Sequence, residues 1–287
     1  MLAATVTVLL WASAFVAIRS AGQEYSPGAL ALGRLLTGSV ALVVLLLIRG
    51  EGWPPRAAWP GIAISGLLWF GVYMVALNAG EEAVDAGTAA MIVNIGPILI
   101  ALLGGWLLRE GFQARVLAGM AVSFAGAVVV GLSMADGGSA SVIGVLLCLL
   151  AAASYAAGVI SQKPALRHAS ASQVTTFGCL TGAVCCLPFA RQLSTELTSA
   201  SWSATANLVY LGIFPTALAF TTWAYALART TAGRMGATTY AVPAVVILMS
   251  WLVLDEVPGW LTFLGGALCI AGVAVSRSRF GSRTVRA

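Results

Sequence analysis

The sequence predicts an all-α integral membrane protein with ten transmembrane helices, built from two five-helix repeats of opposite orientation. Three observations support this fold class: an apolar composition, ten long apolar runs, and a match of the chain to itself at an offset of 146 positions. Sixty per cent of the residues are hydrophobic and 9 per cent are charged. Soluble domains carry about 25 per cent charged residues, so lipid is the natural solvent for most of this surface.

The apolar runs define the individual helices, because a membrane-spanning helix needs about 20 mostly apolar residues. The first run has no Lys or Arg before it, so it is predicted to be an inserted span and not a cleaved signal peptide. The predicted helices are numbered one to ten and cover 2–19, 28–48, 58–80, 86–108, 114–134, 141–161, 172–190, 204–228, 234–254 and 258–276.

The distribution of charge predicts the orientation, because loops rich in Arg and Lys stay in the cytoplasm. With both termini cytoplasmic, the outer ends hold only Arg19 and Arg191 among the basic residues. This arrangement requires an even number of spans, and it explains the basic charge without a nucleic-acid partner. The basic residues then predicted inside are Arg49, Arg56, Arg109, Arg115, Lys163, Arg167, Arg229, Arg234, Arg277, Arg279, Arg283 and Arg286. The acidic residues predicted outside are Glu24, Glu81, Glu82, Asp85, Asp136, Glu196, Asp255 and Glu256.

The internal match divides the chain into a first repeat over 1–137 and a second over 138–287, which ends in the basic cytoplasmic tail. Each repeat holds an odd number of helices, so the second copy must be inverted in the membrane. Inverted repeats recur in secondary transporters, where one half rocks against the other around a midplane site. The pairs at an offset of 146 include Gly66 with Gly212, Pro97 with Pro243, Glu110 with Glu256, Gly119 with Gly265, and Gly126 with Gly272.

Three stretches resemble the drug/metabolite transporter superfamily, in its ten-helix branch with two EamA repeats. They read Trp11-Ala-Ser13-Ala-Phe15, Ala-Leu-Gly-Arg34-Leu, and Tyr225-Ala-Leu followed by Pro243, Asp255-Glu256, Gly265-Gly266 and Gly272. The first-half counterpart of the third stretch runs through Tyr73, Asn78, Pro97, Arg109-Glu110, Gly119 and Gly126. The resemblance covers nearly the whole chain. It implies a basket-shaped bundle with a central substrate cavity, and it is nearest in character to the amino-acid and metabolite exporters.

Two prolines at equivalent positions, Pro97 and Pro243, predict interruptions in helices four and nine. A proline frees the carbonyl four residues earlier, here those of Val93 and Thr239. Paired interruptions in corresponding helices mark the binding site of many transporters, although a packing kink is the alternative interpretation. The residues predicted to line the site are Trp11, Ser13, Tyr73, Asn78, Asn94, Tyr155, Trp223, Thr239 and Tyr240. Trp69 lies at a similar depth, although Trp and Tyr also collect at lipid headgroups in any membrane protein.

Arg34 is the one charge predicted well inside a span, where a charged group faces protein or water. It either holds a substrate carboxylate through its planar guanidinium or pins helix two to its neighbours. Its position near the outer end of the helix favours the structural role slightly. The five cysteines lie in apolar segments, and the single His168 lies in a loop, so no metal site or cofactor is predicted.

These features predict an inner-membrane transporter, and not an enzyme, that exports or exchanges small amphipathic metabolites by alternating access. Amino acids are the expected substrate class, and the protein is expected to be a monomer in the bilayer. The spans hold no Asp, Glu or His, so no intramembrane proton relay is expected. The alternatives are a proton-driven multidrug exporter, a lipid-linked sugar carrier and, from other classes, a channel or a membrane enzyme.

Overall fold

A computed structural model of the chain describes residues 2–84, 86–134, 141–254 and 259–277, and every regular element within these ranges is a helix. The all-α class is therefore confirmed. Each of the ten predicted segments is helical there, and we number the segments α1 to α10. Six are essentially continuous: α1 (Leu2–Ala21), α2 (Pro27–Ile48), α5 (Ala114–Met134), α6 (Val142–Ala165), α7 (Ala171–Cys185) and α10 (Trp260–Arg277).

The other four segments are interrupted, and they form two pairs related by the offset of 146. In α3 and α8 the interruption is a seven-residue π-helical stretch, and in α4 and α9 it is a break between two shorter helices. Segment α3 comprises Trp59–Ser65, the π stretch Gly66–Val72 and Tyr73–Ala83, and α4 comprises Ala86–Val93 and Gly96–Leu107. Segment α8 comprises Trp202–Leu211, the π stretch Gly212–Leu218 and Ala219–Leu227, and α9 comprises Ala232–Thr239 and Ala241–Leu254.

The described part of the chain contains six helices long and apolar enough to cross a membrane. A seventh span results if Ala171–Cys185 and Leu187–Ser199, which meet at 54°, count as one. Leu2–Ala14 and Met91–Leu107 are shorter apolar helices. The multi-pass architecture is clear, and the number of ten crossings stays a prediction.

One helix was not predicted. The sequence places the end of helix seven at residue 190, but α7 ends at Cys185, and a separate short helix, Ala190–Ser199, follows a turn at Leu187–Phe189. The turn contains Pro188, which cannot continue the ladder of α7. The short helix is mostly polar and buries only Leu193, so it leaves no apolar run in the sequence.

Contacts between repeat-equivalent residues reveal a pseudo-two-fold arrangement of α5 and α10. The Ser123 hydroxyl donates to the Cys269 carbonyl at 3.0 Å, and the Cys269 thiol donates to the Ser123 carbonyl at 3.5 Å. These residues are 146 positions apart, and equivalent residues touch reciprocally only beside a two-fold axis.

Two pairs of glycines along the same helices repeat this reciprocal pattern. A Cβ on Gly119 would lie 2.5 Å from the Gly272 oxygen, and one on Gly126 would lie 2.6 Å from the Gly265 oxygen. Small residues let helix backbones approach closely in membranes, so these glycines set the spacing of α5 and α10.

Hydrogen bonds between loops occur at two ends of the bundle. At one end the Ser170 hydroxyl donates to Glu51, and Arg49 donates to the Ser172 hydroxyl at 2.6 Å. These residues belong to loops predicted to be cytoplasmic, and which end faces the cytoplasm stays a prediction.

At the other end the hydroxyl of Ser201 donates to Glu24 at 2.6 Å, and the backbone amide of Ser26 donates to Glu196 at 2.9 Å. The bonds from Ser201 hold the pKa of Glu24 below its usual value. The proposed repeat boundary at 137–138, together with Asp85, Asp136, Asp255, Glu256 and the tail after Arg277, lies outside the described residues.

Candidate functional site

A cluster of aromatic rings fills the centre of the bundle. The Trp69 ring lies 5.3 Å from Tyr155, 5.5 Å from Trp223 and 6.1 Å from Trp11, measured between centroids. Trp69 and Trp223 are 1% and 0% exposed, so in this conformation the rings close the centre of the bundle. We call this group the central aromatic cluster, and its members are Trp11, Trp69, Phe70, Tyr73, Tyr155, Phe220 and Trp223.

The two π stretches help to hold these rings in place. Trp69 and Phe70 belong to the π stretch of α3, while Pro215 belongs to that of α8. The Pro215 carbonyl accepts a hydrogen bond from Trp11 Nε1 at 3.2 Å. A π stretch leaves the regular i→i−4 ladder and often marks a functional site, and here it joins α1 to α8 at the cluster.

The breaks in α4 and α9 meet each other beside the cluster. Helix α4 breaks at Asn94 and Ile95, helix α9 breaks at Tyr240, and the Tyr240 hydroxyl donates to the Asn94 carbonyl at 2.7 Å. Asn94 and Tyr240 are again 146 residues apart, so this bond also lies near the two-fold axis. The predicted interruptions are therefore present on both sides of the axis.

The two prolines lie just after the breaks, within the interrupted segments. Pro97 and Pro243 do not kink continuous helices. Each lies in the first turn of the second half, after the break. Proline is tolerated there because the first-turn N–H groups have no partner within the helix. The carbonyl that accepts the bond from Tyr240 is that of Asn94, next to the expected Val93.

Tyr155 of α6 connects the aromatic cluster to the helix breaks. Its ring lies 5.8 Å from the Tyr73 ring, and its Cδ1 would be 2.6 Å from a Cβ on Gly96, the first residue after the break in α4. The Thr239 hydroxyl lies close to the Tyr155 hydroxyl and donates to the Gly236 carbonyl at 2.7 Å. Contacts through Trp69, Tyr155 and Tyr240 thus link six other predicted site residues with Tyr155 or its neighbours: Trp11, Tyr73, Asn94, Trp223, Thr239 and Tyr240.

Three other predicted residues tie helices together outside the cluster. Ser13 pairs with the Tyr210 hydroxyl at 2.7 Å, and Asn78 donates to the Pro27 carbonyl at 3.0 Å. Arg34, 8% exposed, donates through Nε to the Thr216 hydroxyl at 3.1 Å and so joins α2 to α8. These bonds favour a structural contribution from Ser13 and Asn78, and the alternative roles of Arg34 stay predictions.

Some polar atoms in the bundle are sealed from solvent without a hydrogen bond to the described residues. They include the Tyr155 hydroxyl, Trp223 Nε1 and both amide atoms of Gln162. Removing a polar group from water without a replacement bond costs about 1–3 kcal/mol, so folded proteins keep few of them. Such groups mark places where a ligand, an ion or water can supply the missing bond.

Glu110 closes one end of the bundle beneath this centre. The carboxylate accepts the backbone N–H of Ala232, at the start of α9, at 2.7 Å, and it lies 4.0 Å from Lys163 Nζ. Positive φ values of 54° at Arg109 and 71° at Gly111 form the turn that carries Glu110. A carboxylate at a helix N-terminus is stabilised by the dipole and the free N–H groups.

Lys163 extends this closure to α8. Its ammonium group donates to the carbonyls of Leu227 and Thr230, at the end of α8 and in the loop that follows. The side chains of Lys163 and Glu110 are each 13% exposed. We call Glu110, Lys163 and the backbone groups they bind the closing contact, which joins the ends of α4, α6 and α8 to the start of α9.

Sequence reasoning missed Gln162, Phe220 and the closing contact. Gln162 had a usable signal, because it is an amide at the end of an apolar run, seven residues after Tyr155 and therefore on the same helical face. The pairing of Glu110 with the start of α9 had none, since only the fold brings these two segments together.

The family model described as the EamA-like transporter family matches residues 1–132 and again residues 142–278. The chain belongs to the EamA-like transporter family. This confirms the resemblance to the drug/metabolite transporter superfamily, and it makes the protein a multi-pass membrane transporter of that family.

Three relatives are similar to this chain over nearly its whole length. The probable terminal-alkyne amino-acid exporter of Streptantibioticus cattleyicolor is 36% identical, over 98% of this chain and 94% of its own length. The uncharacterized transporter YdfC of Bacillus subtilis is 33% identical, over 95% of this chain and 89% of its own. The probable amino-acid metabolite efflux pump of Escherichia coli is 24% identical, over 95% of this chain and 93% of its own length. A solved crystal structure with 23% identity has a TM-score of 0.79 and covers 96% of both chains, which supports the fold alone.

Proposed function

We propose that this EamA-like transporter exports or exchanges small amphipathic metabolites, with amino acids as the main substrate class. The observation that carries the proposal is the central aromatic cluster with the buried Tyr155 hydroxyl and a Trp223 indole N–H that has no partner among the described residues, beside the paired breaks of α4 and α9. Aromatic faces and neutral N–H and O–H donors together suit a small solute that carries both apolar and polar groups. The two relatives named as amino-acid exporters agree with this substrate class.

The transport mechanism proposed is alternating access without an intramembrane proton relay, in a monomer of the plasma membrane with cytoplasmic termini. The described acidic side chains, Glu24, Glu51, Glu82, Glu110 and Glu196, lie at helix ends, in loops or in the short helix Ala190–Ser199. A relay through the bilayer normally uses acids or His within the spans. The interrupted segments α3, α4, α8 and α9 are the ones expected to move most.

A competition panel tests the substrate class. Purified protein is reconstituted in liposomes, and radiolabelled amino acids, cationic drugs and sugar phosphates are compared in counterflow. Saturable counterflow of amino acids supports the proposal and argues against a channel. Transport of cationic drugs alone, driven by a pH gradient, would replace it with a multidrug exporter.

One conservative substitution tests the site. Tyr155→Phe removes only the buried hydroxyl, so the packing of the ring should persist while amino-acid counterflow falls several-fold. Tyr225→Phe is the matched control: this ring lies at the end of α8, is 48% exposed and stacks under Arg229. Equal counterflow in the two variants would remove Tyr155 from the site.

A further inference from the structure

Gln162 is the most unusual polar residue among the described part of the chain. It is 0% exposed, and neither its amide nitrogen nor its amide oxygen has a hydrogen-bond partner among the described residues. A buried amide without a partner is costly to the fold, so Gln162 is a place where a ligand can supply hydrogen bonds.

The position of Gln162 relates it to the central aromatic cluster. It follows Tyr155 by seven residues of α6, which places it on the same face about 10 Å further along the axis. One turn before Gln162 on the same face, Gly158 packs against Trp69, where an added Cβ would lie 2.6 Å from the Trp69 Cβ. The face that carries Gln162 therefore adjoins the central aromatic cluster.

The neighbouring residue fixes the depth of Gln162. Lys163 binds the Leu227 carbonyl of α8, and Leu227 is four residues, or about one turn, beyond Trp223. Gln162 thus lies in the layer between the cluster and the closing contact. A solute that passes between the cluster and this end of the bundle has to cross that layer.

We propose that Gln162 is a recognition residue for the zwitterionic headgroup of the transported amino acid. This inference rests on the proposed function. A glutamine amide offers N–H donors and a carbonyl acceptor side by side. A headgroup with a carboxylate and an ammonium satisfies both kinds of atom, whereas an amine without a carboxylate leaves the donors unsatisfied. A neutral amide also adds no net charge opposite a solute whose own charges cancel.

Gln162→Met keeps the length of the side chain and removes the amide. We expect opposite effects on the unfolding temperature and on the affinity for amino acids. Without ligand the variant should unfold at the same temperature as the wild type or higher, because an unsatisfied buried amide has been removed. With ligand it should bind amino acids at least tenfold more weakly, about 1.4 kcal/mol, because the headgroup loses its partners.

The experiment measures ligand-induced thermal stabilisation and counterflow in purified, reconstituted protein, with an amino acid and the amine formed by removing its carboxylate. Wild type should prefer the amino acid, and Gln162→Met should lose most of that preference. Thr176→Val is the matched control: it removes another buried polar group without a partner among the described residues, the Thr176 hydroxyl on α7, and should keep the wild-type preference.

A second variant covers the case in which methionine is not tolerated. Gln162→Glu keeps the shape and replaces the donors by acceptors, so it should reverse the preference toward the amine. Unchanged affinity and preference in either folded variant would overturn the role of Gln162 while leaving the proposed function intact. If no amino acid stabilises the wild type or drives its counterflow, both the role of Gln162 and the proposed function are contradicted.

Discussion

Replacing Glu110 by glutamine tests whether the closing contact holds one end of the bundle shut. The substitution removes the charge that faces the start of α9 and Lys163, and it keeps an oxygen for the Ala232 N–H. A hydrogen bond to a charged group contributes about 1.5–3 kcal/mol, and a carboxylate near a helix N-terminus about 0.3–1 kcal/mol from the dipole. Since the amide retains part of the bond, we expect the closed state to lose about 1–2 kcal/mol.

A loss of this size changes the open population measurably, because 1–2 kcal/mol corresponds to a factor of about 5–30. The reporter is a cysteine at Ala101, which is 7% exposed and lines a cavity of about 20 Å³ beside Glu110. With the native cysteines replaced, its rate of alkylation by N-ethylmaleimide should rise about 5–30-fold in Glu110→Gln, in proportion to the open population.

The control variant changes a carboxylate at the same end of the bundle that is not part of the closing contact. Glu51 accepts from the Ser170 hydroxyl in a neighbouring loop, and Glu51→Gln should leave the alkylation rate at Ala101 unchanged. If Glu110→Gln also leaves it unchanged, the contact does not limit opening, and the closure must come from the aromatic cluster alone.

Three further predictions concern the scaffold, the topology and the coupling. Gly272→Ala places a Cβ 2.3 Å from the Gly119 oxygen and should lower stability by about 1–3 kcal/mol in thermal unfolding, whereas Gly259→Ala, with nothing within 4 Å, should have little effect. Cysteine at Asp136 should react with an impermeant thiol reagent from outside, and cysteine at Arg279 should not; the reverse pattern would invert the topology. Collapsing an imposed pH gradient should leave amino-acid uptake into liposomes intact while the solute gradient persists, and its abolition would establish proton coupling.

The sequence was sufficient for the helical segments and their internal relation. Apolar runs located α1, α2 and α5 closely, since each run has the length of a span. The sequence did not predict the polar helix or the local changes of helical pitch. The short helix Ala190–Ser199 buries only Leu193, and a π stretch leaves the apolar pattern of α3 and α8 almost unchanged.

The sequence predicted several residues of the candidate site, but not the partners that these residues contact. Trp11, Tyr155 and Trp223 were identified because aromatic residues deep in a span are unusual, and they do meet at the centre. Side chains that pair only through the fold were assigned less well. Ser13 finds Tyr210 and Asn78 finds Pro27, which are choices that a single helix cannot reveal.

The internal offset extends the closing contact to the opposite end of the bundle. The residues equivalent to Glu110 and Ala232 are Glu256 and Ala86, and Glu256 lies outside the described residues, so this expectation rests on the sequence match. Lys163 has no such counterpart, because the equivalent position is Ala17. A carboxylate closing each end by the same bond would let either end open while the other is held shut, as alternating access requires. Glu256→Gln should then lower the alkylation rate at Ala101, opposite in sign to Glu110→Gln, because it favours opening at the far end. An increase with both substitutions would show general loosening of the bundle instead of two competing closures.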